Sequence, residues 1–164
     1  MVTVLAREQR ALERLLFRLH HARGVLAADD DRFLAIAADE LEAAALAVRE
    51  LEAARSAVVA AVEGHTLRDL ADASPEPYSS MLREHRAELG RLAGEIGALL
   101  ESTQGLAADR LAELRGDGPA RFRRARRTRP RVDDLDRALA AAGYESVLAA
   151  SDSLRLPALV SFLG

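Results

Sequence analysis

Apolar residues return every seven positions in three long segments of the chain. Seven residues make about two turns of an α-helix, so each repeat marks one face of a helix. Two such repeats side by side predict helices that pack against one another at shallow angles. The repeating residues are Leu5, Leu12, Leu19 and Leu26; Leu34, Leu41, Val48 and Val62, with Ala37, Ala44, Leu51 and Val58; and Leu82, Leu89 and Ile96, with Leu92, Leu99 and Leu106.

One charged residue interrupts this pattern. Arg55 stands where the second segment calls for an apolar side chain. We expect its aliphatic part to lie along the helix while the guanidinium reaches solvent. Of the apolar residues, we expect Leu12, Leu41 and Leu92 to lie in the core.

Residues that begin or end helices separate the three segments. The aspartates 29–31 suit an N-cap and a first helical turn, where free N–H groups favour carboxylates. Gly64 is typical of a helix end, and the prolines at 75 and 77 break a helix and allow another to start. The pattern therefore predicts helices over about 3–28, 30–63 and 78–115, with a short connecting helix at 66–73.

These elements predict an all-α fold. Residues 1–115 are expected to form an elongated antiparallel three-helix bundle or coiled coil. Residues 116–131 read as an Arg-rich linker, since seven of the eleven residues from 121 to 131 are arginine. Residues 132–164 read as a less ordered C-terminal extension, with a short helix at 132–143 and an apolar tail.

The amino-acid composition limits which kinds of site the chain can have and where we expect the protein to be located. The chain has no Cys, which excludes disulfides and thiolate metal sites. No stretch reaches about 18 uncharged apolar residues, so we expect no membrane insertion. Arg7, Glu8 and Arg10 lie within the first ten residues, where a signal peptide would carry its apolar core, and we therefore expect a cytoplasmic protein.

The Arg-rich segment has two interpretations. Seven arginines could bind the phosphates of a nucleic acid, with the helices serving as a dimerisation element. The other interpretation is a disordered linker with a basic bias. The net charge of −3 and the single aromatic residue of the segment, Phe122, make a nucleic-acid partner the less favoured interpretation. A purely structural coiled coil is a third possibility.

The histidines offer no recognisable chemistry. His20 and His21 are adjacent, so on a helix they point about 100° apart and do not converge on one ion. The aspartates 29–31 are explained by helix capping, and His85 is expected at the edge of the core. We find no nucleophile motif and no phosphate-binding loop, and we expect no enzyme activity, no cofactor and no metal.

The last residues are too apolar for a solvated tail. They either fold back onto the helices or form part of a partner-binding surface. The apolar residues in question are Leu154, Leu156, Leu159, Val160, Phe162 and Leu163.

Three stretches resemble the FlgN-type flagellar export chaperones, in particular their actinobacterial branch. Residues 7–44 are similar to the opening helix pair of that branch, with the run Leu15, Leu16 and Phe17 before a break and Phe33 after it. Residues 67–89 look like its connector, a short helix and an acidic proline-containing loop followed by an aromatic residue. Residues 89–114 resemble its third helix.

The resemblance implies a binding protein. Members of this family bind hook-associated proteins, which form the hook–filament junction, in the cytoplasm. They deliver these clients to the flagellar type III export apparatus, and their C-terminal part grips amphipathic client helices. We therefore expect the client-binding surface in the C-terminal third, where a client helix could displace the tail. The candidate residues are Leu106, Leu111, Leu114, Leu154, Leu156, Leu159, Val160, Phe162 and Leu163. The oligomeric state stays open.

Overall fold

A computed structural model describes residues 1–28, 30–60, 66–116, 134–154 and 156–164. Over these ranges the chain is helical and has no β-strand. The helices are α1 (Val2–Ala28), a 3-10 turn (Asp31–Phe33), α2 (Leu34–Ala60), α3 (Leu67–Ala73), α4 (Tyr78–Arg115), α5 (Asp134–Asp152) and α6 (Pro157–Leu163). The all-α prediction is confirmed.

The heptad repeats mark buried faces. Leu12 and Leu41 are fully buried and Leu92 is 1% exposed, as expected of core residues. The remaining members of the first repeat are also buried, because the repeat holds them on one face of α1. Val62 and Gly64 lie outside the described residues.

The helix ends follow local capping chemistry, with one correction. The Thr66 side chain accepts the backbone N–H of Asp69, and the Asp69 carboxylate accepts the backbone N–H of Thr66, so a capping box begins α3. Gly116, at φ +85°, follows the last residue of α4. The aspartates act as predicted only in part: Asp30 takes the N-cap position of the 3-10 turn and Asp31 lies in its first turn, but Asp30 forms no side-chain cap, because its carboxylate binds Arg32 instead.

The described residues divide into two compact units. Unit 1 comprises Met1–Phe17, Ala43–Ala98 and Leu154–Gly164, and unit 2 comprises Arg18–Glu42 and Leu99–Ser153. The expected three-helix bundle with a less ordered extension is therefore too simple. Residues after 133 supply α5 to unit 2 and α6 to unit 1, and both helices bury apolar side chains.

Unit 2 is held by a cluster of small and medium-sized side chains. Its buried members are Ala22, Val25, Leu26, Leu34, Ala37, Ala38, Ala107, Leu111, Ala140, Tyr144 and Val147. Polar contacts join its helices as well. Arg23 Nε donates to Ser102 Oγ over 3.0 Å, and Gln104 Nε2 donates to Asp152 Oδ1 over 3.0 Å.

Helix α5 continues past the residue where its sequence signal ended. Gly143 lies inside α5, and an added Cβ there would come within 2.8 Å of Leu34 Cβ. The glycine therefore brings α5 close to the start of α2 instead of ending the helix. The predicted end at residue 143 was wrong, because a glycine that permits close packing looks like a helix stop in the sequence.

Candidate functional site

The nine residues expected to bind a client belong to two different compact units. Leu106, Leu111 and Leu114 belong to unit 2, where they pack on its core cluster. The six residues of the tail belong to unit 1. Leu106, Leu111 and Leu114, at the end of α4, therefore have apolar partners within unit 2 itself.

The tail itself forms a helix with a buried face. Leu159 is fully buried and Phe162 is 9% exposed. The two residues lie three apart, so they share one face of α6. Leu154 is also buried, Leu156 and Leu163 are half-buried, and Val160 is exposed. Of the two alternatives for the tail, folding back onto the helices is the one seen within unit 1.

We call the residues beneath and around this helix the seat of α6: Glu8, Glu52, Arg55, Thr66 and Arg86. They come from α1, α2, α4 and the N-cap of α3, and α6 also packs against α3 itself. All of them lie in unit 1. The seat therefore consists of residues from four elements of unit 1 that are far apart in the sequence.

The end of α6 is held by polar groups. Arg86 Nε donates to the carbonyl oxygen of Leu163 and Arg86 Nη2 to that of Gly164, both over 2.6 Å. These bonds satisfy carbonyls that have no partner within the helix. A Cβ added to Gly164 would lie 3.1 Å from Thr66 Cβ, so the start of α3 is close by.

The base of the seat is charged and buried. Arg55 Nη1 lies 3.0 Å from Glu8 Oε1, with the two side chains 2% and 0% exposed. Neither atom has a hydrogen-bond partner, so the contact is an ion pair without hydrogen-bond geometry. The Arg55 guanidinium also faces the ring of Phe162, with 4.3 Å from Cζ to the ring centroid.

This arrangement corrects the expectation for Arg55. Its guanidinium does not reach solvent, because Glu8 supplies a countercharge and Phe162 covers it. The sequence held a signal for this. Glu8 lies three residues after Leu5 and four before Leu12, which is an interior position on α1. A charge of opposite sign at an interior position on each of two helices is a pattern that predicts pairing.

Two carboxylates share this environment. Burial raises the pKa of Glu8, Arg55 lowers it, and Glu52 raises it further. Burial also raises the pKa of Glu52, while Arg55, Arg49 and the backbone N–H of Leu159 oppose that shift. For both residues burial is the largest effect, so each carboxyl holds its proton more tightly than in water.

His20, His21, Asp30 and Asp31 lie in unit 2. His21 Nδ1 is 3.3 Å from Glu40 Oε2, which also binds Arg18. Tyr144 donates its hydroxyl to Asp31 over 2.8 Å. Within the described ranges, no three His, Cys, Asp or Glu residues are placed to hold a metal ion. Asp29 lies outside these ranges.

Two further expectations concern other parts of the chain. His85 is half-buried, at the edge of the core as expected, and lines a shallow depression of unit 1. The Arg-rich segment 121–131 lies outside the described residues, and its role stays a prediction. No helix in the described part of the chain is long and apolar enough to cross a membrane.

These contacts hold a short apolar helix, with two buried anchors, on residues of α1, α2, α4 and the start of α3. The seat offers an apolar socket with a charged floor, which suits the binding of a helix. Comparisons of the chain with models of protein families, with curated protein sequences and with solved structures return no match.

Proposed function

We propose that this protein is an export chaperone of the flagellar type, which binds hook-associated proteins in the cytoplasm and delivers them for secretion. The observation that supports it is the seat of α6, which holds a seven-residue helix by two buried apolar anchors. A seat that holds one such helix has the shape needed for another.

The contacts of α6 imply that it docks on its seat with a moderate free energy. A helix of seven residues is not stable alone in water, so α6 depends on its contacts. Leu159 and Phe162 are its fully covered anchors, and the charged floor beneath them retains carboxylate oxygens without hydrogen bonds. Buried polar groups without partners reduce the net gain of docking. A client helix therefore meets an occupant that it can replace.

The resemblance supplies the client. The family to which the chain is similar handles clients whose termini are amphipathic helices, and such a stripe is covered by helix-in-groove packing. Exchange of α6 for the client helix keeps the seat filled before and after binding. It also holds the net affinity down, since the release of α6 is subtracted from the gain. Moderate affinity suits a chaperone that must release its client at the export apparatus.

A disulfide that locks α6 tests the exchange. The chain has no cysteine, so the pair Thr66→Cys and Gly164→Cys would form the one bond available. The 3.1 Å between the two Cβ positions is a few tenths of an ångström short of the usual range, and Gly164 has φ +73°, which a cysteine disfavours, so the last residue must move for the bond to form. We expect the oxidised protein to lose binding of a purified hook-associated protein in calorimetry, and reduction to restore it.

Each single cysteine variant serves as the control, since it carries the same substitution without the crosslink. If the oxidised double variant binds as well as the reduced one, displacement of α6 is not the mechanism. If the unsubstituted protein binds no hook-associated protein, the proposed function is wrong.

A further inference from the structure

Among the buried side-chain atoms of the seat of α6 that lack a hydrogen-bond partner, acceptors outnumber donors. Both oxygens of Glu8 and Oε1 of Glu52 are buried without a hydrogen-bond partner. Arg55 is the buried cation beside them, and its Nη1 approaches Glu8 without forming a hydrogen bond. Carboxylate oxygens in such surroundings are costly, so a further donor brought to this place is favoured.

Helix α6 does not bring that donor with a side chain. Its sequence, PALVSFL, has no basic residue, and its one hydroxyl residue, Ser161, is exposed. It contributes the backbone N–H of Leu159 to Glu52 and the ring of Phe162 to Arg55. Helix α6 therefore fills the apolar part of the seat and leaves the carboxylates short of donors.

We propose that the seat of α6 selects partner helices that combine two apolar anchors three residues apart with an arginine or lysine directed at Glu8 and Glu52. This inference rests on the proposed function, because it requires α6 to leave the seat. A basic side chain there forms charge-assisted hydrogen bonds to oxygens that α6 leaves unpaired. The partner then holds the seat more tightly than α6 and replaces it.

The same floor discriminates against acidic partners. A glutamate on the inner face of a partner helix would meet two carboxylates in a buried environment, and like charges brought together there are strongly unfavourable. Selectivity therefore comes from repulsion of the wrong helix as well as attraction of the right one.

A peptide series measures this selectivity. Labelled peptides of residues 156–164, which contain no basic residue, would carry one substitution each at a half-buried non-anchor position: Leu156→Arg or Leu163→Arg. A matched series carries glutamate at the same positions. Binding is followed by fluorescence polarisation with the full chain carrying Phe162→Ala, which loosens its own α6, and with the unsubstituted chain in competition. Circular dichroism shows whether the variant is folded.

We expect one arginine peptide to bind about tenfold more tightly than the parent peptide, and its glutamate counterpart to bind more weakly than the parent. The gain must disappear when the protein carries Glu8→Gln and Glu52→Gln. A gain that persists in that variant, or the absence of any gain across the arginine series, overturns the inference.

The outcomes separate this inference from the function on which it rests. If the parent peptide and a hook-associated protein both bind but no arginine peptide gains, only the selectivity is wrong. If neither the parent peptide nor a hook-associated protein binds, the proposed function fails as well.

Discussion

Glu8 and Arg55 occupy interior positions of unit 1 where the helical pattern calls for apolar side chains. Each charge loses hydration free energy on burial. The attraction between the two charges, across 3.0 Å and without a hydrogen bond, offsets only part of that free energy. We infer that this pair specifies which positions of α1 and α2 face one another more than it adds stability. The ring of Phe162 in α6 also packs on Arg55. The same arginine therefore contributes both to the register between α1 and α2 and to the docking of α6.

Replacing the pair with apolar residues tests this inference. We expect the double variant Glu8→Leu, Arg55→Met to be more stable than the wild type by about 1–4 kcal/mol, since two desolvated charges are removed together. Arg55→Met alone should be destabilising by about 3–5 kcal/mol, because two carboxylates then stay buried without their cation. Urea denaturation of the three proteins measures both changes. Equal effects of the single and the double change would contradict the inference.

The raised pKa values of Glu8 and Glu52 predict a pH dependence. The ordinary value is 4.5, which applies in the unfolded chain. Between pH 4.5 and the higher folded-state pKa, the folded protein binds more protons than the unfolded one. The stability from these groups is therefore full below pH 4.5 and is lost as the pH rises through the folded-state pKa.

Comparison with Glu8→Gln, Glu52→Gln isolates this contribution, because glutamine stays uncharged throughout. We expect the variant to gain stability relative to the wild type as the pH rises above 4.5, and the difference to level off beyond the folded-state pKa. Chemical denaturation at a series of pH values gives that difference. A difference that is constant from acidic to neutral pH would show that these groups do not titrate as described.

At the scale of single helices, the repeats predicted which face of each helix is buried, but they did not predict which helices contact one another. The spacing of Leu5, Leu12, Leu41 and Leu92 predicted which faces of α1, α2 and α4 are buried, since that follows from the helical period. The pairing of Glu8 with Arg55 and the docking of α6 depend on which helix lies opposite. Periodicity along one helix carries no information about its neighbour.

Two glycines inside helices show that the sequence of one helix does not reveal what packs against it. Gly143→Ala should be destabilising by about 1–3 kcal/mol, because its Cβ would lie 2.8 Å from Leu34 Cβ and neither atom can rotate away. Gly94→Ala should stabilise the protein by up to about 1 kcal/mol, because its Cβ would meet nothing within 4 Å. Thermal unfolding of both variants checks the opposite signs. A Gly143→Ala variant that is as stable as the wild type or more stable would mean that α5 does not approach α2 as described.

At the scale of the whole molecule, each unit combines stretches that are far apart in sequence. Unit 1 joins Met1–Phe17 to Leu154–Gly164, although all of unit 2 lies between them along the chain. Removal of the last stretch therefore affects the two units differently. Unit 1 loses the anchors over its charged floor, whereas unit 2 keeps all of its own residues.

Hydrogen exchange makes this difference measurable. In a chain that lacks residues 154–164, we expect faster amide exchange within residues 1–17 and 43–60, because Glu8 and Arg55 lose their cover. Residues 18–28 and 134–153 should keep their protection. Mass spectrometry of peptides from both units, with the full chain as the control, gives the comparison. Uniform loss of protection would contradict the division into two units.

The position of α6 in the chain also sets an order of events during synthesis. The residues that form its seat end at Arg86, and unit 1 receives no further residue between Ala98 and Leu154. At about 5–20 residues per second, the ribosome needs roughly 3–11 s to make the residues between. During that interval the nascent protein has a seat without its own helix. If the exchange proposed above operates, a client helix that arrives in this interval meets an empty site and binds without displacing α6.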